Sequence, residues 1–170
     1  MKTKNGKTAQ KLGKEFEEDA IFHLRALMPT MNTVTHRLYD THSAGSFLPA
    51  QPGDCITVFM GKVFLFEFKS SLEFNSLSEG RGPINSLFSA EQLASMRIWH
   101  RAGAMPFVFF KSFACSRIER WSGLYVAETA AVPAKRLNPN EDVYHYQYEP
   151  KSLSMALQDT LETTVHAYLL

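Results

Sequence analysis

The sequence predicts an α/β fold in which helices flank a mixed central β-sheet, and three observations lead to it. The chain has 170 residues, of which 45% are hydrophobic and 12% aromatic, so one domain has enough apolar material for a core. Apolar residues recur at helical spacing near both ends of the chain. Between them lie short, strand-like apolar runs and turn residues. The order helix, strand, hairpin, helix, strand favours a mixed sheet with helices packed on it.

The N-terminal helix is predicted over residues 8–28, and Pro29 is expected to end it. Its apolar stripe consists of Leu12, Phe16, Ala20, Leu24 and Leu27. Glu17 belongs to this face because apolar residues lie three, four and seven positions after it, whereas Glu15 and Glu18 point elsewhere. An acid on such a face costs free energy unless it is paired or bound to a metal. The alternative for Glu17 is the edge of the stripe, where its carboxylate reaches water.

A strand is predicted at residues 33–39, and a β-hairpin follows a loop. Gly61-Lys62 suits a two-residue turn, which would place Asp54 opposite Lys69 and Ile56 opposite Glu67. Asp54, Glu67 and Lys69 then share one face, where opposed Cβ atoms lie about 5 Å apart and diagonal ones about 7–8 Å. A metal ion can bridge carboxylates at this spacing, and the alternative is a buried ion pair. Both faces are apolar in the middle, which predicts a hairpin covered on both sides.

The second half of the chain predicts further elements. Residues 70–88 resemble a long loop. Ser89-Ala90-Glu91-Gln92 is a capping box that opens a helix ending near Ala102, before Gly103. Strands are predicted at 106–111 and 117–127, and a turn at 138–140. Two further faces follow, a strand face of Tyr144, Tyr146 and Tyr148 and a helical stripe of Leu153, Leu157, Leu161, Val165 and Leu169.

Charge and composition restrict the classes of function. The net charge is only +1, but residues 1–14 carry five lysines and no acid: Lys2, Lys4, Lys7, Lys11 and Lys14. Such an arm either follows phosphates or is a solubilising tail. No apolar run reaches membrane-spanning length, and the N-terminus lacks the apolar region of a secretory signal. Cys55 and Cys115 are predicted to be free core thiols, so we expect a cytoplasmic protein.

Pro52, Asp54, Glu67 and Lys69, joined by the hairpin, resemble the signature of the PD-(D/E)XK nuclease superfamily. Within it, the chain is most similar to Holliday-junction resolvases of the RecU and archaeal Hjc types, with a phage-borne relative as one interpretation. The likeness spans residues 13 to about 127. It rests on the hairpin and on Gly13-x-x-Phe16-Glu17, Ser43-Ala44-Gly45-Ser46 and Ser89-Ala90-Glu91-Gln92-Leu93.

This resemblance implies a restriction-endonuclease-like core and a Mg²⁺-dependent endodeoxyribonuclease, with Mn²⁺ as a substitute. Asp54, Glu67 and the Phe68 carbonyl would hold the metal, Glu17 would complete the site, and Lys69 would orient or activate water. Tentative DNA contacts are Lys2, Lys4, Lys7, Lys11, Lys14, Ser43, Ser46 and Gln92. Gln92 also has the simpler role of a helix cap.

The expected partner is branched or duplex DNA, and the expected assembly is a homodimer, because a junction has two strands to cut. The C-terminal stripe and the tyrosine segment are candidate interfaces, unless each packs on its own domain. Residues 1–170 would form one nuclease domain with a basic arm at 1–12 and an extension at 130–170. Two departures from the family are a wide spacing from Ser46 to Asp54 and a short loop at 40–53. The alternatives are a repair or restriction nuclease of the same fold and a non-catalytic DNA-binding module.

Overall fold

In the computed structural model the strands follow one another across a single sheet in chain order. They are β1 (Val34–Arg37), β2 (Cys55–Phe59), β3 (Lys62–Ser71), β4 (Met105–Ser112) and β5 (Arg117–Ser122). Strands β3 and β4 run parallel, and all other neighbours are antiparallel. The helices are α1 (Lys4–Ala26), α2 (Met28–Met31), α3 (Arg81–Leu87), α4 (Ala90–Arg101), α5 (Gly123–Ala131) and α6 (Leu153–Leu169).

The structure describes residues 4–38, 51, 53–78, 81–131 and 153–169. Several sequence predictions fall outside this part of the chain, namely those for Lys2, Ser43, Ser46, Pro52, the turn at 138–140 and the three tyrosines. Within the described part, the predicted α/β class is confirmed, because a mixed five-stranded sheet carries helices on both faces.

Two apolar clusters lie on opposite faces of the sheet. One face carries α1 and α6, and its core is built around three phenylalanines of β3, Phe64, Phe66 and Phe68. The other carries α3, α4 and α5, which bury Val108 and Trp121. The predicted C-terminal stripe is confirmed as a buried face of α6 through Leu153, Leu157, Leu161 and Val165. Packing on both sides thus holds the central strands β3 and β4 rigidly.

The hairpin register differs from the prediction. The turn residues are Met60 and Gly61, with φ of 48° and 73°, and positive φ at both positions is typical of a type I′ turn. Val58 therefore pairs with Val63, and Cys55 with Phe66. The predicted opposite pairs are wrong by two residues, a shift that leaves every side chain on its predicted face. Continuing the observed register by one residue brings Asp54 opposite Glu67 instead of Lys69.

Coverage of the hairpin is also less complete than predicted. Val58 is 38% exposed and Met60 64% exposed, because the helices on this face pack mainly against β4 and β5. On the opposite face Cys55, Thr57 and Phe59 are buried. The hairpin is thus covered on one side, and on the other only near β3.

Other boundaries changed for local reasons. Helix α1 begins at Lys4 and so includes residues 4–12, and Pro29 lies in the first turn of α2, where proline is tolerated. The predicted loop 70–88 contains α3. The predicted strand 117–127 ends at Ser122, and α5 begins at Gly123, whose Cβ would lie 2.7 Å from Pro106 Cβ. A short apolar run does not distinguish strand from helix by periodicity alone.

The two cysteines differ. Cys55 is a buried free thiol, as predicted, but Cys115 is exposed because it lies in the turn between β4 and β5. The prediction of two core thiols is therefore wrong for Cys115. None of the helices in the described ranges is long and apolar enough to span a membrane.

Candidate active site

Asp54 is fixed by the backbone around it. Its N–H donates to the Phe66 carbonyl at 2.8 Å, and its carbonyl accepts the Leu38 N–H at 2.8 Å. Its carboxylate oxygen Oδ2 accepts the N–H of Phe68 at 2.6 Å. Gly53 makes this approach possible, because a Cβ there would lie 2.7 Å from the Phe66 carbonyl oxygen. The carboxylate of Asp54 is thus held at the end of β2, against β3.

Glu67 is buried on β3, with 1% of the residue exposed. Its Oε1 contacts Lys69 Nζ at 2.6 Å and accepts a hydrogen bond from Gln92 Nε2 at 2.8 Å. Lys69 Nζ also lies 5.3 Å from the centre of the Phe88 ring, within the range of a cation–π interaction. A buried carboxylate costs free energy unless it is paired and hydrogen-bonded in this way. Neither of these two contacts uses Oε2.

Gln92 is the helix cap that the sequence predicts and also reaches Glu67, while its role as a DNA contact stays a prediction. Its Oε1 accepts the N–H of Ser89 at 3.1 Å, and the Ser89 hydroxyl accepts the Gln92 N–H at 3.2 Å, so the predicted capping box is confirmed. Its amide nitrogen is directed at Glu67. An amide side chain has an acceptor at one atom and donors at the other, so both contacts exist together.

The electrostatics of the site are governed by its crowded acids. The pKa of Asp54 is raised well above its usual value, first because the carboxyl is buried and then because Glu67 lies close. The Phe68 N–H and the Lys69 ammonium lower the pKa of Asp54, and the charge of Glu17 raises it further. A cation beside Asp54 and Glu67 would therefore remove an unfavourable interaction that the fold builds in.

Glu17 lies near these groups and is paired with a residue that the sequence did not suggest. Gly13 lets α1 approach β3, since a Cβ there would lie 3.1 Å from Ser70 Oγ. Glu17 Oε1 accepts a 2.5 Å hydrogen bond from Nη2 of Arg37 on β1. The sequence shows Arg37 on a predicted strand, but no pattern in it indicates that its partner is Glu17, 20 residues earlier on a helix. The role of Glu17 as a metal ligand stays a prediction.

The carbonyl of Phe68 is directed toward the same region as the Asp54 carboxylate. Within a strand, the N–H and C=O of one residue point to the same side, which is why antiparallel partners exchange both hydrogen bonds. The Phe68 N–H reaches Asp54, so the Phe68 carbonyl faces that side as well. This direction agrees with the predicted ligand role of the carbonyl.

The remaining candidates stand apart from this site. Lys11 and Lys14 are exposed on α1 and form ion pairs with Glu15 at 3.6 Å and Glu18 at 3.8 Å. The side chains of Lys4 and Lys7 lie outside the described part of the chain, as do Lys2, Ser43 and Ser46. Of the predicted residues, the structure brings together Asp54, Glu67, Lys69 and Gln92, with Glu17 beside them.

The donor set suits one particular class of metal ion. Within the described ranges, no three histidine, cysteine, aspartate or glutamate side chains form a ready cage for a metal. Mg²⁺ is usually bound through one or two carboxylates, with water and substrate phosphates completing its shell. The carboxylates of Asp54 and Glu67, with the Phe68 carbonyl, fit that pattern.

The fold and the site define an α/β protein with two adjacent carboxylates and a lysine at one end of a hairpin. Among solved structures, the chain is similar to Hjc of Archaeoglobus fulgidus, described as a Holliday junction resolvase from an archaeal hyperthermophile. The TM-score is 0.44 and the sequence identity 14%, over 84% of this chain and 98% of the other. No protein-family model and no curated protein matches the chain.

Proposed function

We propose that the protein is a metal-dependent endodeoxyribonuclease that acts on branched DNA, most specifically on four-way junctions. The observation that carries the proposal is the convergence of Asp54, Glu67 and Lys69, with Lys69 Nζ held 2.6 Å from a buried carboxylate. Burial, and then the nearness of Glu67, raises the pKa of Asp54, and two such acids are costly in a fold that uses them for stability alone. A phosphodiester hydrolase needs both acids for a cation and the lysine for the reacting water.

In this proposal the reaction is attack of water on phosphorus, which forms one P–O bond and breaks another. Asp54, Glu67 and the Phe68 carbonyl would hold Mg²⁺, or Mn²⁺ in its place, and the bound ion would supply Lewis acidity at the phosphoryl oxygens. Lys69 orients the attacking water and offsets charge that develops on the phosphate. Gln92 fixes the carboxylate of Glu67, and the Phe68 N–H fixes that of Asp54.

Resolution of a junction requires cuts in two strands, so the proposal includes a two-fold symmetric homodimer. The stripe of α6 is excluded as its interface, because Leu153, Leu157, Leu161 and Val165 are buried within the domain. The tyrosine segment lies outside the described residues.

The test compares four DNA substrates, a four-way junction, a flap, a linear duplex and a supercoiled plasmid, each with Mg²⁺, Mn²⁺, Ca²⁺ or EDTA. We expect paired cuts on opposing strands of the junction with Mg²⁺ or Mn²⁺, and binding without cutting with Ca²⁺. Light scattering should give about twice the 19.3 kDa chain mass.

Each alternative predicts a different outcome. Full cleavage in excess EDTA would exclude the proposed chemistry. A monomer that nicks plain duplex would favour a repair-type nuclease over a junction resolvase. Binding without cleavage with every metal would favour a non-catalytic DNA-binding module.

A further inference from the structure

Arg37 is a cation next to the candidate site, and its surroundings are unusual for a surface arginine. It lies on the edge strand β1, with 26% of its side chain exposed, and the next residue, Leu38, donates its N–H to the Asp54 carbonyl. Its Nη2 is 2.5 Å from Glu17 Oε1, whereas its Nη1 is 3.9 Å from a carboxylate oxygen of Glu18. The contact with Glu17 is a short charge-assisted hydrogen bond, and the one with Glu18 is long and half exposed.

The charges of the site bear on the substrate contact that Arg37 can make. Asp54, Glu67 and Glu17 are three acids at this end of the sheet; Lys69 Nζ lies 2.6 Å from Glu67, and Glu17 is bonded to Arg37. A DNA backbone that approaches these acids is repelled unless further cations meet it. A guanidinium presents five donors in a planar fork that matches phosphate oxygens, and a carboxylate on one side of the fork fixes its plane.

We propose that Arg37 binds a backbone phosphate of the DNA and that Glu17 positions Arg37 instead of holding the metal. The inference rests on the proposed function, since it assigns a contact to the same substrate. It differs from the role that the family resemblance implies for Glu17. The observation that carries the inference is the hydrogen bond between Glu17 and the guanidinium of Arg37. It lies on the side of the site where the N–H of the next residue, Leu38, is bonded to the Asp54 carbonyl.

Two simpler accounts make different predictions. If the pair only ties α1 to β1, its loss lowers thermal stability but leaves the number of phosphate contacts unchanged. If Glu17 is a metal ligand, its loss weakens metal binding whether or not Arg37 is present. Two measurements separate these accounts from ours: the salt dependence of DNA binding, and the affinity for metal in the absence of DNA.

The first measurement is junction-DNA binding by fluorescence anisotropy in EDTA at several salt concentrations. Arg37→Ala should weaken binding about 10-fold, the size expected for a charged hydrogen bond, and reduce the log–log salt slope by about one. Arg37→Lys should bind DNA with an affinity between those of the wild type and Arg37→Ala, because lysine keeps the charge without the planar fork of donors. Arg101→Ala removes an exposed arginine at the far end of α4 and should change binding less than about 2-fold.

The second measurement tests Glu17. Glu17→Gln should leave Mn²⁺ affinity, measured by calorimetry without DNA, within about 2-fold, whereas Asp54→Asn should weaken it about 10-fold or more. In the Glu17→Gln background, Arg37→Lys should have a smaller effect on DNA affinity than in the wild type, because the guanidinium is no longer oriented. A merely structural pair would not produce this coupling.

The outcomes separate the inference from the function on which it rests. If the wild-type protein binds no DNA, the proposed function fails. If it binds DNA and Arg37→Ala has the wild-type affinity and salt slope, Arg37 is no phosphate contact and the inference alone is overturned. A Glu17→Gln variant with Mn²⁺ affinity as low as that of Asp54→Asn would return Glu17 to the metal.

Discussion

Glu67 and Glu119 are two buried glutamates on the same face of the same sheet, and they differ in what surrounds them. Glu67 is 1% and Glu119 2% exposed. Glu119 accepts hydrogen bonds from the Leu77 N–H at 3.1 Å and from the Trp121 indole at 2.9 Å, and it pairs with Arg117 at 3.6 Å. Glu67 has donors as well, but it also lies beside a second carboxylate, Asp54.

This difference in surroundings separates a structural role from a candidate functional role. The donors around Glu119 anchor the segment after β3 to β5, so its burial is explained by the hydrogen bonds it makes. At Glu67 the donors do not account for the arrangement, because the adjacent acid raises the free energy of the folded state. Burial of a charge by itself thus does not mark a functional site, whereas two adjacent acids beside a lysine make a candidate for one.

The largest expected effect separates the two glutamates by activity. Asp54→Asn and Glu67→Gln should each lower kcat on junction DNA by about 100-fold or more, because in the proposed function each removes a carboxylate that would hold the metal at the reacting phosphate. Glu119→Gln should retain kcat within about 3-fold, since it lies among structural donors. Cleavage assays with Mg²⁺ on folded variants measure this contrast. Near-wild-type cleavage by either site variant would remove the distinction between the two acids.

A smaller effect tests how Glu67 is held. Gln92→Ala removes one hydrogen bond of the capping box together with the hydrogen bond to Glu67, whereas Ser89→Ala removes only the other hydrogen bond of the capping box. Both should lose about 1 kcal/mol of stability, but only Gln92→Ala should lose about 10–100-fold of activity. Thermal unfolding and cleavage rates on the same samples give both quantities. Equal activity losses would mean that Gln92 serves only as the cap.

For stability we expect the opposite order, with a larger loss for Glu119→Gln than for Glu67→Gln. Glu119→Gln keeps one oxygen for the Leu77 and Trp121 N–H groups but turns an amide N–H₂ toward Arg117, so we expect a loss of about 1–3 kcal/mol in the free energy of unfolding. Glu67→Gln removes a like charge next to Asp54 and should cost less, despite losing the pair with Lys69. Urea titration measures both. A greater loss for Glu67→Gln would show that Glu67 is the more important structural anchor.

Local pattern was enough to predict much of this arrangement. Alternation along β2 and β3 places Asp54, Glu67 and Lys69 on one face, and a two-residue error in register did not change that face. The capping box and the stripe of α6 also follow from spacing alone. In each of these cases the residues that interact are near one another in the sequence or repeat with a fixed period.

What the sequence did not predict depends on contacts between distant elements. The hydrogen bond of Gln92 with Glu67 joins residues 25 apart, and that of Arg37 with Glu17 joins residues 20 apart. Neither has a periodic signature, because each depends on how a helix packs on the sheet. The turn was misplaced because Met60 adopts a positive φ that favours glycine, so the type I′ alternative was not evident.

The smallest effect concerns metal binding without any DNA. An ion that binds the folded state alone stabilises it by RT ln(1 + [L]/Kd), about 1.4 kcal/mol at ten times Kd. For a domain of 170 residues this should raise Tm by about 3–6 °C. Wild type and Glu119→Gln should show the same increase with Mn²⁺, because both keep Asp54 and Glu67. Glu67→Gln should show almost none, since one carboxylate with a carbonyl binds the ion weakly. If all three proteins gained equally, the ion would bind elsewhere, and the pair of Asp54 and Glu67 would need another explanation than a metal.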